Sequence, residues 1–359
     1  MTTPRSIPTP VSASDGPSPL DDLLAPFMAT ATAALDGRAP LLATMVRYHL
    51  GDLDSELRPT APGTSDRGKR IRPAVAMLAA VAAGGSAATA VPVAAAIELL
   101  HNFTLIHDDI QDESPTRRHR PTVWRRWSVG QAINAGDALY AAAQLPFFHL
   151  AGLGVPPPLI LCLLDAFSRT TIAIVEGQTL DLSFEGRSDV SAAGYLDMIA
   201  AKTAAILHYA AWAGALLGGA NDATADKFAA FGLALGTGFQ VRDDALGVWG
   251  ATAATGKAPA DDIRRRKQSL PILLLRERVP PATREELTTI YAAPDINAAG
   301  IERVLALLAE YEVPAAIEAR VRHFHDQARN ALPLATGAGP NTARDQLLGL
   351  VGQLAGRTG

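Results

Sequence analysis

Asp108 and Asp112 stand four residues apart in Leu105-Ile106-His107-Asp108-Asp109-Ile110-Gln111-Asp112. At the end of an apolar helical run, that spacing puts both carboxylates on one face, a turn apart. Carboxylates so stacked repel each other and resist desolvation, which makes chemical sense with cations between them. Magnesium is the obvious candidate. A second pair, Asp243-Asp244 in Phe239-Gln240-Val241-Arg242-Asp243-Asp244-Ala245-Leu246-Gly247, has the same form, with Gly247 at the place that matches Asp112. Two acidic helix ends facing each other across a bundle would form a bowl for several magnesium ions, which keep waters and phosphate oxygens in their shells. A diphosphate is the natural third component.

The basic residues carry a second clue. Of 32 lysines and arginines only Lys69, Lys202, Lys227, Lys257 and Lys267 are lysine. A compact ammonium retained among so many arginines suits the gripping of phosphate oxygens, although composition alone accounts equally for any one of them. Gly68-Lys69-Arg70-Ile71-Arg72-Pro73 leads into an Ala-rich helix. Lys69 and Arg72, three apart at a helix start, would project to one side where backbone N–H groups also favour an anion; a solvated basic turn has the same sequence. His101 and His107, taken alone, fit satisfied core histidines.

These residues need helices to position them. Apolar residues at helical spacing predict two helices between Pro19 and about Leu50, a loop over 51–68, a helix to about Ala83 and a central buried helix from Ala88 to Asp112. An irregular basic connection follows from Arg117 to Trp127, then helices over about 132–150, 158–183, 190–218 and 222–247. A second polar loop between Trp249 and Pro271 holds Gly256, Lys257, Asp262 and Lys267, and further helices run to about residue 354. No alternating strand pattern persists. The expected fold is all-α, a single-domain helical bundle over residues 20–355 with a central cavity, preceded by a disordered Pro-, Ser- and Thr-rich tail over 1–19.

With 48% hydrophobic and 19% charged residues in 359, the chain can bury a sizeable core. A net charge of −4 provides no general attraction to nucleic acid or an anionic membrane. No uninterrupted apolar window of membrane-spanning length is read from the sequence, so no membrane span is expected. Cys162 is the one cysteine, in the apolar run Leu159–Leu164, where a buried structural thiol and a reducing cytoplasm are expected.

The ordered motifs resemble the trans-isoprenyl diphosphate synthases, the farnesyl and geranylgeranyl diphosphate synthase family. The resemblance is carried by Gly68–Pro73, by His101 with Leu105–Asp112 and Arg117-Arg118, by Gly177-Gln178-Thr179-Leu180-Asp181, by Lys202-Thr203, by Phe239-Gln240 with Asp243-Asp244, and by Gly256-Lys257 with Asp262 and Lys267. One aspartate-rich motif alone is weak, since terpene cyclases carry one; the full set in order, from about residue 40 to 275, is specific.

The resemblance implies a prenyltransferase using three magnesium ions, two on Asp108 and Asp112 and one on Asp243, with Asp109 and Asp244 beside them. It implies an allylic diphosphate held also by Arg117, Lys202 and Lys257, and a carbocation steadied by Lys202, Thr203 and Gln240. Isopentenyl diphosphate would bind without metal at Lys69, Arg72, His101 and Arg118, and Gln178 and Lys267 complete the substrate contacts. The departing diphosphate would remove the C2 proton. A homodimer is expected from the resemblance.

Residues four and five before Asp108 lie about one turn deeper on the face the growing tail must pass, and a turn of about 5.4 Å is close to one isoprene unit. Those residues are Thr104 and Phe103, with Leu100 and Leu99 a turn below and Phe147 and Phe148 as further walls. One ring beside a small Thr resembles the family's C20 arrangement and a pair of aromatics its C15 one, so C20 is the favoured product, with C15 as the alternative. Three departures stand out: Gly247 for an aspartate, Arg67 for a glycine and His119 for a glycine after the arginine pair. The rivals are a class I terpene cyclase, whose Asn-x3-Ser-x3-Glu motif is missing because Asn221 is followed by Ala225 and Ala229, and a non-catalytic partner subunit, which would have no use for the intact aspartates.

Overall fold

From Pro19 the chain is helical, as its apolar spacing predicts: α1 (Pro19–Ala33), α2 (Pro40–Leu50), α3 (Ile71–Ala82) and α4 (Ala87–Gln111). The structure is a computed structural model and describes residues 19–61, 68–187, 189–250, 260–337 and 339–355. The expected tail over 1–18, Arg67, Gly256 and Lys257 lie outside the described residues; Pro19 already opens α1.

α4 starts cleanly because the Ser86 side chain accepts the Ala88 N–H, the capping bond that its residue type favours. It is apolar nearly all round, and Ala90 to Leu100 are all buried. Each large side chain there contributes about 1.5–3 kcal/mol of burial, enough to hold the helix whatever its polar C-terminal turn does. α3 begins later than the sequence suggests. Arg70 is its N-cap in the left-handed region (φ 49°), so Lys69 precedes the helix and the shared-face argument for Lys69 and Arg72 does not apply.

After α4 the basic connection holds a small antiparallel hairpin, β1 (Thr116–Arg117) and β2 (Arg120–Pro121), which the sequence does not announce. Its two turn residues, Arg118 (φ 49°) and His119 (φ 60°), are both left-handed, as a two-residue hairpin turn of the primed type demands. That is where the family's glycine is expected, and histidine is among the residues that tolerate the conformation.

There follow α5 (Val123–Arg126), α6 (Val129–Ala142), a 3-10 turn (Leu145–Phe148), α7 (His149–Gly152), α8 (Pro157–Phe184), α9 (Ala192–Ile199), α10 (Ala205–Leu217) and α11 (Asp222–Trp249). Between α9 and α10 the helical path widens into a π turn over Ala200–Ala204. Six further helices, from Asp261–Arg264 to Thr342–Ala355, complete the described chain.

The described residues form two compact units, one from within Met1–Ser168, Ala210–Asp226 and Gly339–Leu347, the other from within Arg169–Tyr209, Lys227–Ala338 and Leu348–Gly359. Four of the five boundaries fall inside α8, α10, α11 and Thr342–Ala355, so no linker composition marks those four. The first unit is centred on α4. The second has a core of Val241, Ala245 and Val248 from α11 packed with Leu270–Leu275, Val304, Ile317 and Val321.

One expectation fails locally. Cys162 is exposed, beside Leu161 at 67% exposure, because it lies on the outer face of α8 and not in a core. α4 and α8 are both long and apolar enough to cross a membrane, by length and composition only; the α4 window is 78% buried within the protein and that of α8 33%.

Candidate active site

Asp108 and Asp109 occupy the last turn of α4 and Asp112 is its C-cap, and helical geometry sends them different ways. Asp108 is half-buried and Asp112 exposed, whereas Asp109 is 2% exposed. The Arg117 guanidinium holds Asp109, its Nε donating to both carboxylate oxygens at 2.9 and 3.0 Å. Burial pushes the Asp109 carboxyl up, and Arg117 opposes that. Asp109 is thus an anchor, and Asp108 and Asp112 keep oxygens on the accessible side.

The same division recurs on α11. Asp243 is half-buried, while Asp244 is 4% exposed and accepts from Tyr195 Oη at 2.9 Å, Gln240 Nε2 at 3.2 Å and the Leu270 N–H at 3.2 Å. Burial pushes its carboxyl up to about 7, with the Asp262 charge adding to the shift. Asp262 also accounts for the departure at Gly247. A Cβ there would stand 2.2 Å from Asp262 Oδ2, so the buried Asp262 carboxylate fills the volume an aspartate at 247 would need.

Lys202 and Thr203 lie in the π turn, an insertion that is often found at functional sites. α8 can approach this turn because Gly177 has no side chain: a Cβ would lie 2.3 Å from the Lys202 backbone N. Lys202 forms an ion pair with Asp181, and Thr203 Oγ1 donates to Gln240 Oε1 at 3.3 Å. Gln178 is half-buried on α8, and Lys267 is exposed, its N–H bonded to Asp262 O at 2.9 Å. Lys257 lies outside the described residues.

In the first unit Arg117, Arg118 and Arg120 line a pocket of ≈ 360 Å³ between α2, the 51–61 turn and the hairpin, together with His49, Asp109 and Asp54; of the residues expected to hold isopentenyl diphosphate, Arg118 alone lines it. His101 adjoins it: burial first, then Arg72 and Arg118, hold its imidazole well below the ordinary range. Lys69 is exposed and Arg72 half-buried. Arg117 and Arg118, assigned by resemblance to different diphosphates, line this one pocket together.

At the expected chain-length floor, Phe103 stacks edge-on against His107 (4.9 Å between centroids) and tilted against Tyr140 of α6 (5.3 Å). Thr104 is half-buried and Leu100 fully buried below them. Phe147 packs on Phe167 in the core at 5.1 Å, but Phe148 is 69% exposed and forms no wall among the described residues, because the 3-10 turn sends successive side chains apart. Sequence reasoning missed His49, Arg120, Tyr140 and Tyr195. None stands in a motif, and each joins the site only through folding.

Known proteins similar to this chain give its family. Residues 58–308 match the family model described as polyprenyl synthetase. The chain belongs to the polyprenyl synthetase family. It is 42% identical over 277 residues to a geranylgeranyl diphosphate synthase of Mycobacterium tuberculosis, covering 77% of each chain. To a (2E,6E)-farnesyl diphosphate synthase of Mycobacterium bovis it is 40% identical over 251 residues, 70% of this chain and 67% of the relative. A polyprenyl synthetase structure from Streptomyces coelicolor A3(2) superposes with a TM-score of 0.82 at 34% identity, covering 93% of this chain and 97% of that one. The synthetase is a prenyltransferase, of the short-chain trans type. Magnesium is the ion its family uses. Magnesium takes one or two protein carboxylates and fills its shell with water and phosphate oxygens, and the incompletely buried Asp108 and Asp112 of the first unit and, separately, Asp243 of the second are of the type it uses.

Proposed function

We propose that this synthetase joins isopentenyl diphosphate head to tail to an allylic diphosphate, with geranylgeranyl diphosphate (C20) as its product. The observation that carries a second, metal-free diphosphate is the charge of the pocket in the first unit. Arg117, Arg118 and Arg120 line it, while Asp109 is engaged by Arg117 and Asp54 by Arg58 at 3.2 Å. A pocket with that excess of guanidinium groups suits a polyanion without metal.

Asp108, Asp112 and Asp243 are the proposed magnesium ligands, for three ions, and bound magnesium would neutralise charge building on the leaving diphosphate. Lys202 and Lys257 hold the same diphosphate. The allylic C–O bond breaks with its electron pair going to the diphosphate, and the double bond of isopentenyl diphosphate supplies the electrons of the new C–C bond. The C2 proton then passes to the departed diphosphate. Thr203 and Gln240, joined to each other and through Gln240 to Asp244, present fixed dipoles to the cation. Lys69, Arg72, His101 and Arg118 bind isopentenyl diphosphate, and Gln178 and Lys267 complete the substrate contacts.

Relatives named for both C15 and C20 products leave the length to local geometry. Phe103, braced by His107 and Tyr140, supports one ring as a floor, with Thr104 leaving room beside it. Outward apolar residues on α6 and α8, among them Ile133, Leu161 and Ile172, support a homodimer, checked by a sedimentation mass twice that of the chain. Cys162, exposed and free, suits a reducing cytoplasm, checked by fractionation of producing cells.

Incubation with magnesium, isopentenyl diphosphate and each of dimethylallyl, geranyl and farnesyl diphosphate tests the reaction. Linear C20 diphosphate is expected; hydrocarbon from an allylic substrate alone would overturn the proposal.

A further inference from the structure

Phe103 and His107 stand four residues apart on one face of α4, and Gly136 and Tyr140 four apart on one face of α6. The two faces meet as a pair of rungs. Phe103 tilts against Tyr140 at 5.3 Å between ring centroids, and one turn nearer the aspartates His107 lies over Gly136. This second rung exists because Gly136 has no side chain: a Cβ there would stand 2.2 Å from His107 Nε2 and 2.4 Å from its Cδ2. No left-handed backbone calls for glycine at 136, and glycine disfavours a helix interior. Its use is the room it leaves for the imidazole.

Seated in that notch, the imidazole is held by both helices. Nε2 donates to the Ile133 backbone oxygen of α6 at 3.3 Å, with Asp137 Oδ1 3.7 Å away, and the ring meets Phe103 edge-on at 4.9 Å. A carbonyl oxygen only accepts, so Nε2 carries the hydrogen. We propose that His107, seated against Gly136, is a positioning residue that sets product length by holding the Phe103 ring where it stops the growing tail at C20. This deepens the reading of Phe103 as the floor and rests on it.

The two residues predict opposite changes. Gly136 is buried, and a methyl there would meet ring atoms at the end of a side chain with two rotatable bonds, where Gly177 faces backbone. The imidazole therefore yields before the helices do. Because it lies a turn nearer the aspartates than Phe103, an imidazole expelled from the notch stands in the path of the tail above the floor, and products shorten. Loss of the imidazole instead frees the edge of Phe103, which keeps Tyr140 as its ring neighbour among the described residues, and products lengthen. With the imidazole gone, a methyl at 136 has no ring to displace.

A double-mutant cycle on Gly136→Ala and His107→Ala tests this, with product length read by chromatography and the melting temperature measured for each variant. Gly136→Ala is expected to raise the ratio of C15 to C20 product about ten-fold. His107→Ala should yield products beyond C20, and the double variant should match it within about two-fold. His107→Ser serves the same arm should the alanine variant not fold. Unchanged C20 product in both single variants, with or without a shift in melting temperature, reduces the two residues to packing and overturns the proposal; so do effects that simply add in the double variant. Phe103→Ala run alongside separates the readings. If it lengthens the product while the other variants do not, the role of His107 falls alone; if it too leaves C20 unmoved, the floor falls with it.

Discussion

Adjacent residues on a helix point about 100° apart, so two neighbouring aspartates cannot serve one metal equally. In both motifs the first aspartate stays accessible and the second turns inward, Asp109 to Arg117 and Asp244 to Tyr195, Gln240 and Leu270. The two kinds of position should separate on mutation. Asp108→Asn is expected to lower kcat by about 10²-fold or more with an unmoved melting temperature, as loss of charge stabilisation in the transition state predicts. Asp109→Asn breaks a mostly buried pair and should cost about 1–3 kcal/mol of stability, read as a drop of several degrees in thermal unfolding. Equal effects on turnover and melting in the two variants would contradict the assignment. Phe103→Ala removes the ring braced by His107 and Tyr140, and products longer than C20 should appear in chromatography of the reaction mixture.

At the scale of elements, a π turn and a glycine act together. Gly177 costs α8 about 1 kcal/mol in helix propensity relative to alanine. Alanine at 177 would nonetheless be destabilising, because its Cβ would meet the Lys202 backbone N at 2.3 Å, and backbone cannot swing aside as a side-chain tip can. A net loss of about 1–3 kcal/mol is expected, typical of overpacking, together with a fall in kcat, since the turn carries Lys202 and Thr203. Denaturant unfolding with turnover checks it; a variant more stable than wild type would show that propensity wins. Gly247 follows the same logic, with the Asp262 carboxylate as the obstacle.

For the whole molecule, buried histidines set the acid limit. His325 is 1% exposed and, through burial first and then Arg329 and Arg242, is held down to about 4. Its folded value lies below the unfolded one of about 6.5, so between those values the unfolded chain binds the proton and stability falls as pH drops; one such group contributes at most about 3 kcal/mol. Asp244, pushed up to about 7, works in the opposite direction over part of this range. Comparing His325→Gln with wild type isolates the histidine. The variant should lose part of the acid slope between about pH 6.5 and 4 in urea-unfolding midpoints, and unchanged slopes would exclude it as a source.

The amino-acid sequence by itself determined the all-α class, the helix order and the positions of both aspartate pairs, because 3.6-residue periodicity and i, i+4 spacing are local properties. It also determined the family, through ordered motifs that the family match over 58–308 bears out. Which aspartate of each pair turns inward depended on Arg117 in one case and on Tyr195 and Leu270 in the other, residues 8, 49 and 26 positions away. The hairpin that carries Arg118, the π turn at Lys202, the ring of Tyr140 against Phe103 and the seat of His107 against Gly136 likewise have no local signature. Tertiary structure alone decided these, since burial and hydrogen-bond partners are set by segments that are distant in the chain and meet only on folding.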